Sequence, residues 1–362
     1  MNLKSIYFYL KILIVCSFGG VILSHYLEPV QIGTFLKIRN IFYFSTSSSK
    51  ELVGDIVYSK SKDFDSIYFN PVNFIQSVWP DIYKILNRDV DEIYFENNSK
   101  TPIDTNKLIL SSQQLMNFVD TVIINNEICY RLVYNIPEVS YSMQPCWYSG
   151  MAQGHAIELM VSAFYLTNDS IYLVNAERFA SLLNIDVKDG GVKEVVDGGI
   201  WFEEYAQYDV IRKSPLVLNG HIFAMDGLYA LSVASKDQKY NIWLRQAIGA
   251  VEQNINKYII AGSWSYYDLF SKPNIADWGY HNIHIQQLKR LIGLNDKMYE
   301  QEIPRLTSAY HRFQIGKFVP VGIWARLFFM HNNMLLFAIV INSISLFILS
   351  LFVVHFYKKK YD

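Results

Sequence analysis

The chain has 362 residues, of which 51% are hydrophobic and 15% aromatic, and its formal net charge at pH 7 is -1. This length allows about two or three domains with a sizeable core. The nearly neutral charge argues against a nucleic-acid-binding protein, which usually carries a basic face. Of the three cysteines, Cys16 lies in an apolar run, so Cys129 and Cys146 are the one pair that could form a disulfide. Free thiols are favoured over that disulfide, and no Cys/His spacing typical of a metal site occurs.

The first segment, Ile6 to Leu27, is apolar apart from one lysine, two serines and one histidine. No small-x-small cleavage site follows it, which favours an uncleaved transmembrane anchor over 6–27 rather than a secretory signal. Residues 28–50 end in the polar tract Ser45-Thr-Ser-Ser-Ser49 and are predicted to be a linker.

Residues 51–141 are predicted to form a β-rich domain. Turn-forming Asn, Asp and Pro residues separate short runs typical of strands. These runs are Asp55 to Tyr58, Ser66 to Phe69, Glu92 to Phe95, Lys107 to Leu110 and Cys129 to Tyr134. Helices could be inserted at Phe74 to Leu86 and Gln113 to Val122.

In residues 142–316 the sequence pattern changes, and apolar residues recur at helical spacing. The predicted helices are Met151 to Leu166, Ser170 to Leu183, Leu216 to Ala234, Tyr240 to Ile260, Ile283 to Leu291 and Lys297 to Phe313. Loops rich in Gly, Trp and Tyr join them, which favours an α/α toroid whose helix ends converge on a cleft. The expected fold class is therefore α+β, a β-rich domain followed by this incomplete α/α barrel.

The last segment, residues 334–357, holds about 20 apolar residues, enough to span a bilayer. Lys358, Lys359 and Lys360 follow at once, and Lys4 precedes the first segment. Because positive flanks stay in the cytoplasm, both termini are expected inside and residues from about 28 to 330 outside. The alternative is a pair of buried core helices.

The stretch Gly199 to Tyr208 places two adjacent acids and a tyrosine among aromatic residues. The same mixture returns in Gly262 to Leu269 and in Trp278 to His284. Aromatic rings offer sugars a flat apolar face, while Glu, Tyr and His can move protons beside it. The combination indicates a carbohydrate-processing site.

Four segments resemble the C-terminal domain of D-glucuronyl C5-epimerases, enzymes that convert glucuronate into iduronate within heparan-type chains. They are Trp147-Tyr-Ser-Gly-Met-Ala-Gln-Gly-His-Ala156; Trp201-Phe-Glu-Glu-Tyr205 with Val217-Leu-Asn-Gly-His-Ile-Phe223 and Gly227-Leu-Tyr229; Ser265-Tyr-Tyr-Asp-Leu269; and Tyr280-His-Asn-Ile-His-Ile-Gln-Gln-Leu288. Their order and spacing match the family over roughly residues 140–295, about half of the chain.

The resemblance implies a catalytic group of Glu204, Tyr205, Tyr267 and Tyr280. Glu204 would be the base that removes the C5 proton, and Tyr280 the donor on the opposite face of the sugar. Tyr205 and Tyr267 would bond to the carboxylate or relay protons. Such a reaction needs two acid/base groups and stabilisation of the carboxylate as it gains enolate character.

A wider set of residues is predicted to bind substrate. The hydrogen-bonding candidates are Gln153, His155, Asn219, His281 and His284, and the candidate stacking platforms are Trp201, Trp264 and Trp278. Each has a structural alternative, namely packing or bracing the backbone. For His281 and His284, three residues apart, a metal pair is a further alternative, although no carboxylate motif accompanies them. Glu203 is expected to face solvent or structure, because neighbours in an extended segment face opposite ways.

Two positions depart from the family pattern. Ala206 stands where animal epimerases have a proline, and Phe270 stands where they carry an arginine suited to a carboxylate or sulfate. Arg178, Arg212 or Lys213 could replace that cation.

The sequence thus predicts a membrane-anchored, extracytoplasmic C5-epimerase acting on a uronic-acid polysaccharide, without a metal or other cofactor and without a nucleic-acid partner. A homodimer is left open. A polysaccharide lyase would share the C5 deprotonation but expel the C4 substituent, and a glycan-binding protein without turnover is the non-enzymatic alternative.

Overall fold

A computed structural model describes residues 3–42, 50–53, 56–60, 66–87, 102–208, 213–318 and 333–361. These residues form a mixed fold with more helix than strand. The helices are α1 (Leu3–Phe42), α2 (Pro71–Gln76), α3 (Trp79–Ile85), α4 (Thr105–Leu115), α5 (Gly150–Thr167), α6 (Ser170–Leu183), α7 (Leu218–Ser235), α8 (Gln238–Asn254), α9 (Trp278–Met298), α10 (Pro304–Phe318) and α11 (Asn333–Tyr361). The strands are β1 (Lys50–Val53), β2 (Ile56–Lys60), β3 (Ile67–Tyr68), β4 (Val119–Ile124), β5 (Glu127–Tyr134), β6 (Trp147–Tyr148), β7 (Lys193–Val196), β8 (Gly199–Phe202), β9 (Ile259–Ile260) and β10 (Trp264–Ser265).

The two terminal helices, α1 and α11, pack against each other in antiparallel orientation. Ser24 accepts a hydrogen bond of 2.7 Å from Asn342, and Gly20 lets the backbone of α11 approach at Ser343. Each helix contains a stretch long and apolar enough to cross a membrane, Ile6–Leu27 and Ala338–Phe356, with mean hydropathies of 2.1 and 2.3. Only 17% and 11% of these stretches are buried, which argues against two core helices and is consistent with membrane association.

The end of the first apolar stretch contacts the helical half of the chain. His25 is fully buried; its Nε2 lies 2.7 Å from the Lys317 carbonyl, and its ring centroid is 4.9 Å from that of Trp278, the first residue of α9. Helix α1 continues to Phe42, so residues 28–42 of the predicted linker are helical. The Ser/Thr tract of that linker lies outside the described residues.

Strands β1, β2 and β3 form a small antiparallel sheet in which Ser59 pairs with Tyr68. Helix α2 follows directly, because Pro71 stands in its first turn and Asn70 caps it by accepting a hydrogen bond from the Asn73 backbone at 3.1 Å. Two predicted strands, at 55–58 and 66–69, and the predicted helical stretch at 74–86 therefore correspond to observed elements.

The predicted strand Lys107 to Leu110 is wrong, since these residues lie in α4. Asp104 caps this helix through the Lys107 backbone, and the buried residues Leu108, Ser111, Ser112 and Leu115 recur at helical spacing. The helix predicted over 113–122 ends at Leu115, and β4 begins at Val119. Strand β5 contains the predicted run at 129–134, and the run at 92–95 lies outside the described residues.

Free thiols are observed at all three cysteines. Cys16 and Cys129 are buried, whereas Cys146 is exposed. The disulfide between Cys129 and Cys146 is not formed, in agreement with the preference for free thiols.

The helices predicted in the second half are found, with two changes. Helix α8 ends at Asn254, so the last residues of the helix predicted over 240–260 lie in a 3-10 helix (Ile255–Tyr258) and in β9. Helix α9 runs to Met298 and α10 begins at Pro304, so the predicted helix over 297–313 is divided. The cause is Pro304, which is favourable in a first helical turn and disruptive within a helix.

Helices α5 and α7 form the centre of this half and are buried on nearly all sides over 150–163 and 218–228. They touch at two glycines: a Cβ on Gly154 would lie 2.6 Å from the Ala224 Cα, and a Cβ on Gly227 would lie 2.7 Å from the Gly154 Cα. The glycine of the Ala-Gln-Gly-His segment is thus required for close approach of two backbones.

Three short connections bring the ends of these helices together. The backbones of Tyr148 and Ala206 exchange hydrogen bonds of 2.8 and 3.0 Å, which holds the 203–206 segment beside the start of α5. The Glu203 carboxylate accepts from the Leu216 N–H at 3.3 Å, so it is a structural group, as expected. The Leu218 N–H donates to the Tyr267 carbonyl at 3.1 Å, which joins the start of α7 to the 265–270 segment.

Substituting Gly154→Ala is expected to destabilise the fold by about 1 to 3 kcal/mol, because the added methyl would overlap the α7 backbone. The matched control is Gly293→Ala in α9, where an added Cβ meets nothing within 4 Å. That change is expected to stabilise by about 0.5 to 1 kcal/mol through helix propensity. Denaturant unfolding followed by circular dichroism measures both; equal effects of the two substitutions would contradict the close helix contact.

Candidate active site

A cavity of about 580 Å³ lies where β2, α2, β5, the 203–206 segment and the first turn of α9 meet. Its lining includes Lys60, Tyr68, Asn70, Asn73, Gln76, Tyr134, Glu138, Trp147, Glu204, Tyr205, Asn219, Phe223, Asp277 and Tyr280. Residues from both halves of the chain therefore contribute to one site.

Glu204 is the buried carboxyl group of this cavity, with 8% of its surface exposed. Its Oε1 accepts a hydrogen bond from the Tyr267 hydroxyl at 3.3 Å, and its Oε2 packs against Gly220, where any Cβ would overlap it. Burial raises its pKa from 4.5 to about 7, while the hydroxyls of Tyr205 and Tyr267 oppose the rise. A carboxyl group with this pKa can both accept and release a proton near neutral pH.

Three tyrosines surround Glu204. The rings of Tyr267 and Tyr280 meet edge to face with centroids 4.7 Å apart, so Tyr267 stands between Glu204 and Tyr280. Tyr280 is 40% exposed, and its backbone is fixed by the Asp277 cap of α9 at 2.9 Å. Loss of hydration and then the Glu204 charge raise the pKa of Tyr280 to about 12, and burial raises the pKa values of Tyr205 and Tyr267 well above 10.0. All three phenols are therefore neutral proton donors at pH 7.

An aromatic wall lies beside the carboxyl group. Tyr134 and Trp147 stack with centroids 4.0 Å apart, and the Trp147 ring lies 5.3 Å from that of Tyr205. The Trp147 indole N–H donates to the Ile136 carbonyl at 2.7 Å, which fixes the orientation of the ring. These flat apolar faces can pack against a sugar ring. Trp147 was not predicted as a site residue. Its place at the start of the first family-like segment is the sequence signal that could have indicated this role.

Asp268 holds the loop that carries Tyr267. It is fully buried and accepts hydrogen bonds from the Tyr141 hydroxyl at 2.7 Å and from the Asn274 side chain at 2.6 Å. The Tyr141 ring lies 4.6 Å from that of Tyr205, so Asp268 also fixes the packing of a second tyrosine of the site. Asp268 belongs to the Tyr-Asp-Leu segment, yet sequence reasoning assigned a role only to its tyrosine.

Among the predicted hydrogen-bonding residues, Asn219 lines the cavity, and its buried Oδ1 has no partner within the described part of the chain. Gln153 and His155 do not line the cavity. Gln153 donates to the Tyr130 carbonyl at 2.6 Å, and His155 Nδ1 lies 3.2 Å from the Glu158 carboxylate in the core. Both residues lie in the part of α5 that is buried on nearly all sides, so their side chains face the protein interior.

The three predicted tryptophan platforms lie away from the cavity. Trp201 is fully buried and stacks on His221 with centroids 4.0 Å apart. Trp264 is fully buried, and its indole N–H donates to the Ala276 carbonyl at 2.8 Å. Trp278 packs against His25 of α1. This placement argues against sugar stacking by these rings, because each is engaged by another aromatic ring of the protein.

His281 and His284 both contact the Ser265 hydroxyl, at 2.8 and 2.9 Å. His281 Nε2 lies 3.0 Å from the Phe313 carbonyl, which can only accept, so His281 carries its proton on Nε2. Ser265 then donates to His281 and accepts from His284, whose pKa burial lowers to about 3. The pair belongs to a buried hydrogen-bond network, and the described residues hold no cluster of three metal-binding side chains.

Of the residues considered as replacements for the missing arginine, Arg178 and Lys213 do not line the cavity. Phe270 packs edge to face on Tyr141 with centroids 5.4 Å apart. Arg178 donates to the Tyr130 hydroxyl, Lys213 is exposed, and Arg212 lies outside the described residues.

Substituting Glu204→Gln is expected to stabilise the protein at pH 8 by up to about 3 kcal/mol. As pH rises from 4.5 through about 7, the wild-type protein loses stability because the buried carboxyl group must ionise, and glutamine does not ionise. Below pH 4.5 the carboxyl is neutral in both folded and unfolded chains, so the difference should vanish. Thermal unfolding of both proteins across this pH range measures the effect.

The matched control is Glu203→Gln, which weakens the acceptor of the Leu216 N–H and is expected to lower the Tm at pH 8. An unchanged or lower Tm for Glu204→Gln at pH 8 would contradict a strongly desolvated carboxyl.

Comparison with known proteins agrees with this geometry. The family model described as D-glucuronyl C5-epimerase C-terminus matches residues 125–312, which contain Glu204, Tyr205, Tyr267 and Tyr280. A D-glucuronyl C5-epimerase of Caenorhabditis elegans is 33% identical over 177 residues, which cover 44% of this chain and 28% of the relative. The chain thus aligns with less than a third of that relative's length. The match over more than half of the chain shows that it belongs to the D-glucuronyl C5-epimerase family.

Proposed function

We propose that this protein is a uronic acid C5-epimerase that converts D-glucuronate into L-iduronate residues within a polysaccharide. The observation that carries the proposal is that Glu204 and Tyr280 line one cavity and that Tyr267, which does not line it, contacts both, with a carboxyl pKa near 7 at Glu204 and a phenol pKa near 12 at Tyr280. The family match supports the same reaction.

In the proposed reaction, the Glu204 carboxylate removes the C5 proton. The electron pair moves toward the substrate carboxylate, which gains enolate character and is stabilised by hydrogen bonds from the neutral Tyr205 and Tyr267 phenols. Tyr280 then donates a proton to C5 on the opposite face. Because the C5 proton is only weakly acidic, stabilising the developing negative charge matters as much as the strength of the base.

This cycle leaves Glu204 protonated and Tyr280 as a phenolate. Tyr267 lies between the two groups and can donate to one while accepting from the other. Transfer from a carboxyl with a pKa near 7 to a phenolate whose acid has a pKa near 12 is strongly favourable. The same three side chains would therefore reset the site without a further proton carrier.

The proposed setting is the outer face of a membrane. The terminal apolar helices would anchor the protein with both termini in the cytoplasm, as the lysines flanking these helices favour. Helices α5 to α10 would form the α/α toroid of the catalytic domain, and the burial of α5 and α7 on nearly all sides supports an inner position for these two.

Incubating the full-length protein with an unsulfated glucuronate polysaccharide in heavy water should introduce deuterium at C5 and form iduronate. Glu204→Gln and Tyr280→Phe should each reduce exchange by at least about a hundredfold, since each removes one acid/base group. Glycan binding should persist in both variants. Full exchange in either variant would remove that residue from the mechanism, and a new unsaturated sugar end would indicate a lyase.

The exchange rate should rise with pH, by about tenfold per pH unit below 7, and level off above pH 7 because Glu204 must be ionised to act as the base. The rate at substrate concentrations well below saturation (kcat/KM), followed by deuterium incorporation, provides this profile because it reports the pKa of the substrate-free protein. A plateau already reached at pH 5 would contradict the role of Glu204.

A further inference from the structure

We propose that Lys60 recognises the uronate carboxylate of the polysaccharide. This inference rests on the proposed substrate class, but not on turnover. It concerns a residue outside the part of the chain that matches the family model, residues 125–312.

The acidic lining of the cavity favours a cationic group that can bind an anionic sugar. Three carboxyl groups line it, Glu138, Glu204 and Asp277. Lys60 is the one cationic side chain among the described residues that line the same cavity. A uronate brings a further negative charge, and that charge increases on the carboxylate oxygens as the C5 proton leaves. Without a cation, the cavity would repel its substrate.

The fold fixes Lys60 at the cavity wall. It is the last residue of β2 and pairs with Ile67 of β3, so its backbone belongs to the small sheet. The preceding Ser59 is buried, and its hydroxyl accepts from the Asn73 side chain at 2.8 Å, which joins β2 to α2. Two independent attachments therefore fix the backbone of β2 at the residue that carries the ammonium group.

The neighbours of Lys60 suit a sugar polymer. Asn70, Asn73 and Gln76 line the same cavity and present amide groups, which can hydrogen-bond to hydroxyls. Trp147, Glu204, Tyr205 and Tyr280 are the lining residues with proposed roles that come from the family-matching region. The sheet and α2 would thus supply charge and polar recognition, while the helical half supplies the proton transfers.

Binding measurements on the full-length protein in detergent test the role of Lys60. The probes are an unsulfated glucuronate polysaccharide and the same polymer with its carboxyl groups reduced to alcohols. Wild type should bind the reduced polymer about tenfold to a hundredfold more weakly, because a charged hydrogen bond is lost. Lys60→Met should bind the native polymer more weakly and should distinguish the two polymers by a clearly smaller factor than wild type, the remainder coming from the Tyr205 and Tyr267 phenols.

Two variants serve as controls. Lys60→Arg keeps the charge and should retain discrimination between the polymers. Lys188→Met removes a lysine whose side chain is 77% exposed and does not line the cavity, and it should behave as wild type. If Lys60→Met discriminates as wild type does, or if Lys188→Met loses the same affinity, the assignment is overturned.

The result is separable from the proposed activity. Reduced discrimination in Lys60→Met without C5 exchange in wild type would support carboxylate recognition while refuting epimerisation. Exchange in wild type with unchanged discrimination in Lys60→Met would support epimerisation while refuting carboxylate recognition by Lys60.

Discussion

The site depends on keeping one carboxyl group, that of Glu204, away from water. Its pKa near 7 follows from burial, and burial follows from the absence of a side chain at Gly220 and from the packing of Tyr205 and Tyr267 around it. A solvated glutamate would be ionised but weakly basic, whereas this one is a stronger base that still ionises at neutral pH. The tyrosines moderate the shift by donating hydrogen bonds, so the same groups set the pKa and offer protons.

The tertiary structure holds this carboxyl group by attaching its segment to three neighbouring elements. The backbone next to Glu204 pairs with Tyr148, the Glu203 side chain binds the start of α7, and Leu218 binds the Tyr267 carbonyl. The close contact of α5 and α7 at their glycines sets the spacing of these attachments. On the other side, His25 packs against Trp278, two residues before Tyr280, so the terminal helix pair supports the end of α9 that carries the exposed phenol.

Helical spacing, a local signal, predicted most helices of the second half. The family-like segments selected Glu204, Tyr205, Tyr267 and Tyr280, which lie close together, while their catalytic roles stay a prediction. These patterns did not distinguish core from cavity among the tryptophans. Trp201 and Trp264 stack on histidines from distant segments, whereas Trp147 reaches the cavity, and only tertiary packing decides between these outcomes. Lys60 was missed for the same reason, since nothing in its strand indicates that the cavity lies beside its end.

The most direct test of this account is the protonation state of Glu204 itself. Infrared difference spectroscopy of wild type against Glu204→Gln, as a function of pH, isolates the carboxyl band of this one residue. The account predicts a midpoint near pH 7 and a higher midpoint in Tyr267→Phe, because that hydroxyl favours the charged form. A midpoint near 4.5, unaffected by Tyr267→Phe, would contradict the desolvated base on which the proposed chemistry depends.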